Sequence, residues 1–148
     1  MPAAVSVAGA AAAAALFSSR DTALWSHCLN LYDEAIAEAS AKKQGQTDLA
    51  ALDSWLRSDW RAQGQAKAKG LTRAALEKVA TWKLTRGQWR PLLPRIKSNA
   101  EPAVAAAWRA ALDARAQAES KPVPAAASAA VAALAAGLDG VGPATASA

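Results

Sequence analysis

At 148 residues and a formal charge of +5 at pH 7, the chain has the size of one small domain with a bias towards anionic partners. Hydrophobic residues reach 53%, but much of that is alanine, so a core has to come from Leu, Ile, Val and the six tryptophans. The single cysteine, Cys28, excludes an intrachain disulfide and points to a reducing compartment, nucleus or cytoplasm; beside the sole histidine, His27, it is too little for a zinc site.

Met1 to Phe17 is apolar and uncharged, yet it lacks a basic start and is too short and too alanine-rich for a membrane span. With only Arg20 as a transit-like charge, residues 1–20 read as a flexible Ala-rich leader, with organelle import the alternative, and 21–148 as one helical domain. No alternating run of β-branched or aromatic residues suggests a strand, and the alanine content favours helix, so the expected class is all-α.

Leu24, Cys28, Leu31, Tyr32, Ala35, Ile36 and Ala39 recur at three- and four-residue steps, which predicts an amphipathic helix from Asp21 to near Lys42. A second helix starts at a Thr47/Asp48 cap and carries Leu49, Leu52, Trp55, Leu56 and Trp60 inward, before a polar linker over Gln63 to Gly70. Thr72 caps a third, with Leu71 and Leu76 at the spacing of a hydrophobic staple and Gly87 in a left-handed position after its end. A short helix through Leu92, Leu93 and Ile96 is closed by Asn99. Pro102 opens the next, with Val104, Ala107, Trp108, Ala111 and Leu112 on its apolar stripe, and Lys121-Pro122-Val123-Pro124 is a stiff connector to a helix that ends at Gly137.

The chain then reads Leu138-Asp139-Gly140-Val141-Gly142-Pro143-Ala144-Thr145-Ala146-Ser147-Ala148, the pattern of a hairpin turn opening a final helix. Gly140 supplies a positive φ, Val141 plugs the space between the helices, and Pro143 sits where its missing N–H costs nothing. The amides around Gly140, Val141, Gly142, Ala144 and Thr145 then form a candidate site for a DNA phosphate. Upstream, Thr81 to Asn99 holds Lys83, Arg86, Arg90, Arg95 and Lys97 without an acid, a basic patch suited to counterion release from a polyanion.

With Trp82-Lys83-Leu84-Thr85-Arg86-Gly87-Gln88-Trp89-Arg90-Pro91 in the middle, Ser98-Asn99 after it and the glycine hairpin at the end, the chain resembles the Amun-like family of helix-hairpin-helix, DNA-glycosylase-like proteins over roughly Leu29 to Ala148. The resemblance implies an all-helical, base-excision-repair-like domain that holds double-stranded DNA by its backbone. Two departures argue against base removal. The hairpin-helix position that carries a Schiff-base lysine in bifunctional relatives is Ala144, and the activating aspartate of the superfamily belongs downstream of Ala148, a place Asp139 cannot fill. The expectation is therefore sequence-independent DNA binding by a shortened domain without catalytic residues, metal or cofactor. The alternative is a helical structural or protein-interaction module with its tryptophans in the core and its basic face solvated. No triad spacing or phosphate loop offers other chemistry.

Overall fold

A computed structural model describes residues 16–42, 48–60, 70–87, 90–120 and 122–148, and among them every regular element is helical. The leader up to Ala15, Thr47, most of the polar linker, Gln88, Trp89 and Lys121 lie outside the described residues. The chain divides into two compact units, Met1–Glu38 and Ala39–Ala148.

In the first unit, Asp21 caps helix α1 (Thr22–Asn30) by accepting from the amides of Ala23 and Leu24, and Leu31 joins it to α2 (Tyr32–Ala41), whose last three residues belong to the second unit. One continuous amphipathic helix was the expectation; two helices meet at Leu31 instead. Of the expected apolar stripe only Ile36 is buried, while Leu24 and Leu31 are exposed. Trp25 meets Phe17 edge to face at 6.1 Å and donates its Nε1–H to the Ser19 carbonyl.

In the second unit, Asp48 caps α3 (Leu49–Trp55) by accepting from the Ala51 amide at 3.1 Å, and the helix runs on as a π-helical turn, Leu56–Trp60. Leu49 and Leu56 are buried; Trp55 and Trp60 are half-buried and lie against each other at 5.7 Å. Thr72 caps α4 (Arg73–Arg86) as its hydroxyl accepts from the Ala75 amide, and the Glu101 carboxylate, 28 residues on, accepts from the Arg73 amide at 3.0 Å. Two orphan donors of the helix start are thereby satisfied. Leu71 and Leu76 are both buried, as a staple requires. Gly87 has φ −97°, so the expected left-handed stop is absent; the helix ends on a bond from the Gly87 amide to the Lys83 carbonyl.

Helices α5 (Leu93–Lys97), α6 (Glu101–Gln117) and α7 (Val123–Gly137) follow, and then α8 (Pro143–Ala146). The core gathers Leu71, Leu76 and Ala80 with Ile96 of α5, Val104, Ala107 and Ala111 of α6, and Leu134, Leu138 and Val141 from the chain end. Helices α6 and α7 make the most extensive helix pair, and small residues let them approach closely. A Cβ on Gly137 would fall 2.8 Å from the Cβ of Ala107, nearer than two carbons can sit.

Ala is ordinarily the better helix former by about 1 kcal/mol, so Gly137→Ala would gain stability on propensity alone. Overpacking against the rigid Ala107 outweighs this, and the expected result in urea unfolding is a net loss of about 1 kcal/mol or more.

Candidate nucleic-acid interface

The end of the chain folds as helix, turn and short helix, and the turn is seated on α5. Gly140 has φ +73°, and a Cβ there would lie 3.0 Å from the Arg95 Cβ, 3.1 Å from Ile96 Cγ1 and 3.2 Å from the Ile96 nitrogen. Positive φ and close backbone approach both demand glycine. Leu138 and Val141 on either side are 5% exposed and belong to the core, so Val141 plugs the space beneath the bend. Gly142 is exposed, and nothing lies within 4 Å of where its side chain would start.

Asn99 fastens the turn. Its Oδ1 accepts from the Asp139 amide at 2.9 Å, and its Nδ2 donates to the Asp139 carbonyl at 2.9 Å and to the Ile96 carbonyl at 2.9 Å. One primary amide so satisfies both the N–H and the C=O of a residue 40 positions away and a last-turn carbonyl of α5. Arg95 adds an ion pair to the Asp139 carboxylate, with the Nε 3.4 Å from Oδ2. The guanidinium, chiefly by its hydrogen bond, holds the Asp139 carboxyl below its ordinary pKa. Asn99 is read from sequence only as a helix-closing residue, because no spacing signal links it to position 139.

The five cations of the basic segment divide by tertiary context. Arg95 is neutralised by Asp139, and Lys97 Nζ lies 4.0 Å from Glu77 Oε2 on α4. Of the other three, Lys83 reaches the chain end. Lys83 Nζ donates to Thr145 Oγ1 of α8 at 3.1 Å, across 62 residues of chain. Its ammonium pKa is held below the ordinary lysine value, first by burial and then by the charge of Arg90. Arg86 stacks over the Trp82 indole with 5.2 Å from guanidinium carbon to ring centroid, and Arg90 is exposed.

Within α8 the Thr145 and Ala146 amides close on the Gly142 carbonyl at 2.9 Å each. Among the described residues, the Gly142 and Ala144 amides have no hydrogen-bond partner. Of the chain-end residues singled out from sequence, Gly142 and Ala144 are exposed, Thr145 is half-buried and bonded to Lys83, and Gly140 and Val141 are taken up by internal packing.

An apolar cavity of about 210 Å³ lies under the hairpin, with Trp60, Trp108, Val141 and Thr145 among its walls. Among the described residues no group of three His, Cys, Asp or Glu side chains could hold a metal, and no helix is long and apolar enough to cross a membrane. Comparisons with protein-family models, characterised proteins and solved structures return no match. The family resemblance therefore rests on the residues that carry it in this sequence.

Asn99→Ala takes these partners from both the N–H and the C=O of Asp139, and the expected cost is about 1–3 kcal/mol in chemical unfolding. The ion pair has an acid limit. Because Asp139 has a lowered carboxyl pKa when folded, its contribution is present above the unfolded carboxylate value and is lost as pH falls through the folded one. Thermal melts taken from about pH 6 to about pH 3 should show a shallower loss of stability for Asp139→Asn than for the unsubstituted chain.

Proposed function

We propose that the chain binds double-stranded DNA by its phosphate backbone, without reading sequence, through the turn at Gly142 to Thr145 and the cations Lys83, Arg86 and Arg90. The observation that carries this reading is the Lys83 to Thr145 contact, in which one cation of the basic segment meets the short helix that follows Gly142. Three further features support it. Val141 is buried, as a hairpin plug requires; Gly142 leaves space for a close approach; and the Gly142 and Ala144 amides stand available for a phosphate oxygen. Lys83 is partly desolvated and next to Arg90, so a phosphate there relieves a repulsion already present in the folded chain. The proposal is for binding alone, since Ala144 offers no amine and Asp139 is committed to Arg95.

A second reading, a helical structural or protein-interaction module, is favoured by a specific observation. The glycine of the turn and the Asn99 amide are both spent on holding the hairpin to α5, which gives the motif a purpose without DNA.

Fluorescence anisotropy with a mixed-sequence duplex separates the two. The DNA reading expects affinity that falls linearly on logarithmic axes with salt, equal for unrelated duplexes, with a slope reduced by about 2 when Arg86 and Arg90 are both changed to glutamate. No binding at low salt, or a slope indifferent to both reversals, contradicts it and leaves the second reading.

A further inference from the structure

Asp53 is a carboxylate with 1% exposure inside a helical domain, and the hairpin gives it no task. A buried charge of this kind is costly unless it is paired and hydrogen-bonded. Its Oδ2 lies 2.9 Å from the Arg57 Nε one turn along α3 and the π-helical segment. Its Oδ1 accepts the indole N–H of Trp82, on α4, at 2.9 Å. That bond crosses 29 residues of sequence and fixes the plane of a half-buried ring that otherwise swings about two side-chain torsions. The ring held in this way is the one over which the Arg86 guanidinium stacks. Arg86 is four residues beyond Trp82 and three beyond Lys83, so around the helix it falls between them.

A line of contacts therefore runs from Asp53 through Trp82 to Arg86, beside Lys83, which in turn reaches Thr145 of α8. We infer that Asp53 is a positioning residue for the phosphate-binding face: by anchoring the Trp82 indole it fixes the platform that presents the Arg86 guanidinium next to Lys83. This rests on the proposed DNA reading for its ligand, but not for its geometry. Stacking on the ring limits the arrangements of a long side chain, so less freedom is lost on binding.

The test compares Asp53→Ala with Asp53→Asn in the full chain. Both remove the charge and the Arg57 ion pair; the asparagine carbonyl can still accept the indole N–H, its NH2 then facing Arg57, whereas alanine offers the indole nothing. Two readouts are taken, the order of the Arg86 Nε–H group by heteronuclear NMR relaxation in the DNA-free protein, and affinity for a mixed-sequence duplex by anisotropy. The expected result is increased Arg86 mobility and about two- to fivefold weaker binding for Asp53→Ala, with Asp53→Asn close to the unsubstituted chain. The affinity loss should vanish in an Arg86→Gln background.

Unchanged Arg86 order in Asp53→Ala overturns the inference alone, as does an affinity loss of equal size with and without Arg86. Absence of DNA binding by the unsubstituted chain overturns the proposed function and the ligand assigned to Arg86 with it. Should Asp53→Ala fail to fold, Trp82→Phe keeps an aromatic face and deletes the donor; unaltered Arg86 order there also sinks the idea.

Discussion

A single side-chain amide sets the architecture of the chain end. A residue at a bend, outside the helical ladder, leaves both its N–H and its C=O to find partners, and asparagine is among the few side chains that offer an acceptor and a donor together. Asn99 meets both polar groups of Asp139, and because it also holds the Ile96 carbonyl it cannot do so without fixing the turn to the last residues of α5. Everything downstream is placed by that constraint. Leu138 and Val141 enter the core on either side of it, Gly140 comes against Ile96, and α8 arrives where Lys83 reaches its threonine.

Electrostatics sharpens what the clamp begins. The exposed Arg95–Asp139 pair is worth little to stability by itself, yet it withdraws one cation from the basic segment, and Glu77 draws Lys97 towards α4. Positive charge then concentrates on Lys83, Arg86 and Arg90, at the end of α4. There the partial negative charge of the helix C-terminus favours cations in the last turn, which makes Lys83 and Arg86 compatible with a stable helix before any ligand is considered. The proposed DNA contact uses a concentration of charge that folding has already produced.

Local signals were the legible ones. The all-helical class, the Thr72 cap, the staple of Leu71 and Leu76, the start of α6 near Pro102, and the positive φ of Gly140 follow from residue types acting over three or four positions. Partnerships over long separations were not. Nothing in spacing joins Asn99 to Asp139, Glu101 to the start of α4, or Asp53 to Trp82, because each depends on where the core brings two helices together. The stripe from Leu24 to Ala39 has the right period for a buried face, but period reports only which residues share a side; Leu24 and Leu31 are exposed. The basic segment likewise showed a charge excess without showing which cations would find acids from elsewhere.

The account stands on the docked turn, and hydrogen exchange at the Asp139 amide probes it directly. If the Asn99 carbonyl holds that N–H, it should exchange as slowly as the amides of the central core helices, because release requires the hairpin to leave α5. Exchange at the rate of an open surface turn would show that the chain end is not seated there, and the arrangement of Val141, Lys83 and Thr145 built upon it would fall.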